Sequence, residues 1–127
     1  MREITKNNLN NFIKFYHNFH DSYITNINYD VYKTEIELLI DICWSGNPLL
    51  NDDNTYETNK TKIIMILKDI KQVNIKELFS WDYINNVFIN YIELENDEFI
   101  CFADNESEPL IYIVCKKILY EDFKEKW

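Results

Sequence analysis

Between residues 5 and 18 the apolar side chains recur every three or four positions; after residue 22 they recur every two. In "TKNNLNNFIKFYHN" (5–18), Leu9, Phe12, Ile13 and Tyr16 fall at i, i+3, i+4 and i+7 and form one apolar stripe. That spacing predicts an amphipathic helix, with Thr5 as its N-cap. The asparagines in this stretch are poor helix formers, so packing against the rest of the molecule has to hold it.

The two-residue period predicts strands. "SYITNINY" (22–29) places Tyr23, Thr25, Ile27 and Tyr29 on one face, with a turn at Asn28, Tyr29 and Asp30. "VYKTEIELLIDICW" (31–44) has the clearest alternation: Tyr32, Thr34, Ile36, Leu38, Ile40, Ile42 and Trp44 share one side, and Lys33, Glu35, Glu37 and Asp41 the other. This is the signature of a half-buried antiparallel strand. "SGNPLLNDDNTYETN" (45–59) reads as the longest loop. "TKIIMILKDI" (61–70) reads as a central strand, "VNIKELF" (73–79) as another short strand, and "SWDYINN" (80–86) is ambiguous, compatible with one helical turn capped by Ser80.

The last third reads as a meander: "VFINYIELE" (87–95), a tight turn at Asn96-Asp97, "EFICFA" (98–103), a loop over 104–109, and "LIYIVCKKILYEDF" (110–123). β-branched and aromatic residues dominate these runs, as strands prefer. The expected fold is therefore mainly β (α+β). A single N-terminal helix precedes about six antiparallel strands in a meander-like sheet, sandwich or partly open barrel, as one domain over residues 1–127.

Composition narrows the setting. With 46% hydrophobic and 16% aromatic residues, a core forms without disulfides or metals. Cys43, Cys101 and Cys115 are an odd set, each inside an apolar run, which fits buried free thiols in a reducing compartment. The start of the chain is polar, and no apolar run approaches the ~20 residues of a membrane helix. The expectation is a cytoplasmic protein with no membrane association.

The single glycine, Gly46, excludes the phosphate-binding P-loop and the dinucleotide fingerprint, whose tight turns need several glycines. It also excludes the G-x-S-x-G nucleophile elbow, and "DDNTYETN" (52–59) lacks the central glycine of an EF-hand calcium loop. His17 and His20, three apart, could share one helix face, but zinc would need two more ligands and the cysteines are not in paired spacing. The bland reading of Phe19-His20-Asp21-Ser22 is a corner between helix and first strand, with Asp21 and Ser22 satisfying backbone groups. The sharper reading is a pocket near His20 and Asp21 serving a small-molecule binding module or minor enzyme. No catalytic residues, metal ligands or cofactors are assigned.

Charge is unevenly spread. The net charge is −9, and between Lys76 and Lys116 there is no Lys or Arg. That span holds Glu77, Asp82, Glu93, Glu95, Asp97, Glu98, Asp104, Glu106 and Glu108, while acids and bases balance in the rest of the chain. A phosphate backbone demands the opposite sign, so nucleic acid is an unsuitable partner. The bland reading is a solvated face; the functional one is a surface for a basic protein.

The order "FHDSYI" (19–24), a two-strand unit, "FSWDYI" (79–84) and "ICFADNESEPLIYIVCKKI" (100–118) resembles the immunity-protein families of bacterial toxin systems. The likeness is greatest to a group with a Phe-His-Asp opening before a β-rich body. It covers most of the chain in pattern, and its one compact motif is Phe19-His20-Asp21-Ser22. The resemblance, the missing catalytic constellation and the acidic span lead to the expectation of a non-enzymatic protein that neutralises a toxin; an exposed edge strand could pair two copies, so monomer and homodimer both stay open. The expected interface is Trp81 and Tyr83 with Glu93, Glu95, Asp97, Glu98, Asp104, Glu106 and Glu108.

Overall fold

The computed structural model describes residues 1–47, 50–56, 59–76, 87–105 and 108–123. Its elements are β1 (Arg2–Ile4), α1 (Leu9–Phe15), a 3₁₀ turn (His17–Phe19), β2 (Tyr23–Asp30), β3 (Glu35–Ile42), β4 (Thr61–Ile75), β5 (Val87–Glu95), β6 (Glu98–Asn105) and β7 (Glu108–Asp122). The described residues are mainly antiparallel β with one short α-helix, as the hydrophobic pattern predicts.

Hydrogen-bonded neighbours run β1-β7-β4-β3-β2-β5-β6, and β6 pairs back onto β7. Six strands therefore follow one another round a ring. The contact of β2 with β5 is its narrowest seam, two residue pairs, Tyr23↔Phe88 and Ile24↔Val87. This is the partly open barrel among the expected architectures. β1 lies beside the second half of β7, pairing Arg2 with Tyr120 and Ile4 with Ile118, and so covers the stretch of edge that β6 leaves uncovered.

The interior follows from alternation. Ile36, Leu38, Ile40 and Ile42 of β3, Ile63, Met65 and Leu67 of β4, Phe99, Cys101 and Ala103 of β6, and Ile111, Ile113, Cys115 and Ile118 of β7 are buried. Burying each large aliphatic side chain is worth about 1.5–3 kcal/mol. α1 closes one end of the barrel. At seven residues it is too short to be stable alone, and it is held by buried Leu9 and Phe12. Phe12 packs against Tyr16, Phe19 and Tyr120 at ring distances of 5.1, 5.8 and 4.7 Å.

Several local expectations change. The helix starts at Leu9, with Asn8 rather than Thr5 in the N-cap position. The Asn8 side chain accepts the Thr5 N–H at 2.7 Å and donates to the Glu3 carbonyl at 3.0 Å, joining β1 to the helix. On β2 the buried residue is Ile24, and a register shift between Ile24 and Asn26 brings Ile27 and Tyr29 against the core instead. Strand β2 continues to Asp30, and the turn is 31–34, not 28–30. The Asp30 carboxylate accepts the N–H groups of Tyr32 and Lys33, so Tyr32 and Thr34 leave the alternating face and are exposed.

The two strands expected over 61–70 and 73–79 are joined in the fifteen-residue β4, which runs to Ile75. Residues 77–86, including "SWDYINN", lie outside the described residues. β4 stays continuous because its alternation slips rather than stops. Asp69 has φ 54°, and the register with β7 shifts between Ile70 and Gln72. β7 slips to match, with Lys116 and Lys117 both exposed between buried Cys115 and Ile118. β1 itself has no counterpart in the sequence pattern, because Arg2 and Glu3 are exposed and only Ile4 is buried.

Candidate functional site

The Phe-His-Asp-Ser motif forms the corner between α1 and β2. The chain turns through left-handed backbone, with φ of 52° at His17, 55° at Asn18, 58° at Phe19 and 58° at Asp21. Such angles cost a non-glycine residue roughly 1–2 kcal/mol, and the buried Phe19 ring offsets part of that. Ser22 is fully buried; its hydroxyl accepts the Cys43 N–H at 3.3 Å and donates to the His20 carbonyl at 3.4 Å, tying the corner to the end of β3.

The helix ends before both histidines, so they do not share a helix face. His17 Nε2 donates to the Gly46 carbonyl at 2.6 Å. His20 points to solvent, its Nε2 3.3 Å from Asp21 Oδ2, and the same carboxylate oxygen accepts the Trp44 indole N–H at 3.3 Å. Beside this corner a cleft of about 600 Å³ is lined by Asp21, Tyr23, Asp41, Cys43, Lys60 and Lys62. Lys62 Nζ stands 3.7 Å from Asp41 Oδ1. His20 is not among the lining residues.

A second cleft, of about 470 Å³, opens where α1 meets the barrel. Asp122, at the end of β7, accepts the Tyr16 hydroxyl at 2.7 Å and the Thr61 hydroxyl at 2.5 Å, and Arg2 lies 5.2 Å from the centre of the Tyr120 ring. Burial, reinforced by the Asp122 hydrogen bond and charge, holds the Tyr16 hydroxyl well above its ordinary value of 10. Sequence reasoning did not find this node, since Tyr16 and Asp122 are 106 residues apart and neither belongs to a local motif.

Glu93, Glu95, Glu98 and Asp104 lie on the outside of the β5–β6–β7 surface. Phe99, Cys101 and Ala103 point inward, so Glu98, Ile100, Phe102 and Asp104 face out; Ile92 points inward, so Glu93 and Glu95 face out. Directly opposed residues share a face, and the register pairs Glu95 with Glu98, Glu93 with Ile100, Ile100 with Val114 and Phe102 with Tyr112. The result is an apolar patch of Ile100, Phe102, Tyr112 and Val114, all half-buried, bordered by Glu93, Glu95, Glu98 and Asp104. Among the described residues, no ion pair involves Glu93, Glu95 or Glu98.

The tip of the β5–β6 hairpin differs, because Asp97 there shares a small cleft with Lys6, Lys116 and Lys117. Of the other expected interface residues, Glu108 opens β7, while Trp81, Tyr83 and Glu106 lie outside the described residues. Sequence reasoning located the acids but not Ile100, Phe102, Tyr112 and Val114. Each alternates with a buried residue in an unbroken apolar run, so nothing in the sequence marks it as facing out.

Cys101 and Cys115 are buried and free, and burial pushes both thiols up to about 12. Cys101 opposes Ile113 and Cys115 opposes Phe99, so the two cysteines are diagonal neighbours. Among the described residues no cluster of three or more His, Cys, Asp or Glu could hold a metal ion, and no helix is long and apolar enough to cross a membrane. Compared with known proteins, the chain matches no family model, no curated protein and no solved structure.

Proposed function

We propose that the protein is a non-enzymatic, cytoplasmic binding protein of the immunity type, which neutralises a basic toxin by covering it with the outer face of β5, β6 and β7. The observation that carries this reading is the pairing of an apolar patch with a border of acids on that face. Phe102 and Tyr112 have the size and stiffness of interface anchors, and aromatic anchors dominate interface energetics. Acids around them would steer a cationic partner and reject anionic ones.

The cross-strand pair Glu95↔Glu98 adds support, since like charges directly opposite one another weaken a sheet. A face kept for solubility alone has no need of that arrangement. The resemblance of the Phe19–Ser22 opening to immunity-protein families points the same way.

The test is a pull-down from native host extract with tagged protein, at low and at high salt. The reading expects one basic protein, bound at low salt and released as salt screens the charges. An acidic or uncharged partner, or binding indifferent to salt, would overturn it.

A second reading, a small-molecule binding module, has the cleft beside the corner in its favour, where two carboxylates and two lysines surround a volume suited to a small ligand. In that case Lys60→Ala and Asp21→Ala would lower ligand affinity without affecting capture of a protein partner.

A further inference from the structure

The cleft between α1 and the barrel holds more than the Tyr16–Asp122–Thr61 node. Asn11 and Phe15, four residues apart on α1, line it from the helix, and Arg2 and Tyr120 line it from the paired strands β1 and β7. Asn59 lines it from the loop before β4, and Asp122 from the end of β7. Its volume of about 470 Å³ is that of a small-ligand site.

Aromatic rings and unmatched polar groups meet there. Phe15 is 50% exposed, yet its ring is held in place: the Gly46 N–H donates to the Phe15 carbonyl at 2.8 Å, and a Cβ at position 46 would stand 3.4 Å from the ring. Tyr120 is half-buried and packs on Phe12, with Arg2 over its ring. Asn11 lies inside α1, where asparagine is a poor helix former and caps nothing. Among the described residues its amide makes no hydrogen bond, and the Arg2 guanidinium has neither a hydrogen bond nor an ion pair. Asn59 gives an amide N–H to the Ser45 carbonyl at 2.9 Å, and its side-chain oxygen receives no donor among the described residues.

The charge of the lining selects the ligand. Arg2 and Asp122 balance, and burial keeps Tyr16 a neutral hydroxyl. A site without net charge gives an ion no advantage, and a molecule of net charge −9 repels anions. What remains is a neutral molecule that both donates and accepts, with an apolar face for the rings. A sugar ring has this form: each hydroxyl donates and accepts, and the axial C–H groups give the ring a face that covers an aromatic side chain.

We propose that this cleft binds a neutral pyranose, packed on Phe15 and Tyr120 and hydrogen-bonded at its edge by Arg2, Asn11 and Asn59. The site shares no residue with the outer face of β5, β6 and β7, so the two proposals fail separately.

The test is a titration of the nitrogen-15-labelled full chain with glucose, galactose, mannose and N-acetylglucosamine in turn, up to millimolar concentration, followed by proton–nitrogen NMR spectra. The result expected is a saturable shift of the Asn11 and Asn59 side-chain amide signals with at least one sugar. Its affinity should be the same at low and high salt, whereas capture of a basic protein weakens with salt. Asn11→Ala and Arg2→Lys should each weaken binding fivefold or more. Asn11→Ala places a better helix former at an exposed position, so its effect is not one of misfolding. Tyr32→Ala, in the exposed turn between β2 and β3, should leave binding unchanged. No saturable shift with any of the four sugars would overturn the proposal, as would tighter binding of glucuronate than of glucose. Binding of adenosine where no sugar binds, or an affinity that survives both Asn11→Ala and Arg2→Lys, would overturn it too.

Discussion

Replacing Asp122 by alanine removes the acceptor that joins α1 to the barrel. Tyr16 is 2% exposed and Thr61 7%, so water does not readily take the carboxylate's place at either hydroxyl. A buried polar group left without its partner costs about 1–3 kcal/mol, which gives about 2–6 kcal/mol for two hydroxyls. The adjoining cleft admits some water, which favours the lower end, near 2–3 kcal/mol. With a urea slope of about 1–3 kcal/mol/M, the unfolding midpoint should fall by about 0.7–3 M.

Tyr16→Phe removes one donor and leaves Asp122 its bond from Thr61, so it should cost about 1 kcal/mol. A double-mutant cycle between Tyr16→Phe and Asp122→Ala should show a coupling of at least 0.5 kcal/mol, as contacting residues in one network do. Urea unfolding of the four proteins, followed by circular dichroism, measures it. If Asp122→Ala costs less than about 0.5 kcal/mol, the size of an ordinary surface change, then the node does not hold the helix and the reasoning fails.

Four other outcomes are expected. Cys101 and Cys115 have folded-state values of about 12 against an ordinary 9.0, so the unfolded thiols ionise first. Their contribution is complete below pH 9 and is lost as pH rises towards 12, on the order of 2 kcal/mol per thiol by about pH 10.5; a Cys101→Ala/Cys115→Ala protein should show a flatter alkaline stability curve. Gly46 has φ 60°, and a Cβ there would stand 3.4 Å from the Phe15 ring, so Gly46→Ala should lower stability by about 1–2 kcal/mol in thermal melts. The His20 side chain is 73% exposed, so His20→Ala should change stability by no more than about 0.5 kcal/mol; a larger loss would show the corner depends on its contact with Asp21. Glu95→Lys replaces a like-charge pair by an opposite one and should raise stability by about 0.2–1 kcal/mol.

The parts of this fold that could be read from sequence are those where one rule acts without competition. β3 is buried on one side only, so Ile36, Leu38, Ile40 and Ile42 identify it directly. β2 shows the limit: a one-residue shift after Ile24 reverses the faces, and alternation carried past it assigns Tyr23 and Thr25 to the wrong side. The break expected within 61–79 is a bend, because Asp69 adopts left-handed backbone while pairing with β7 goes on through Ile75. The charge asymmetry was visible as a span without lysine or arginine, but its partition between the hairpin tip and the outer face depends on strand register. The Tyr16–Asp122–Thr61 node needs the whole ring of strands to bring its members together.

The central claim, that the outer face of β5, β6 and β7 is the binding surface, is tested most directly by a charge reversal. Wild-type protein and a Glu93→Lys/Glu95→Lys/Glu98→Lys variant would be compared as baits at low salt, after circular dichroism and urea unfolding show that both are folded. The account predicts that the variant, whose 95 and 98 positions again carry like charges, stays folded but no longer retains the basic partner. Equal retention by both proteins would contradict it and would move the interface to another surface.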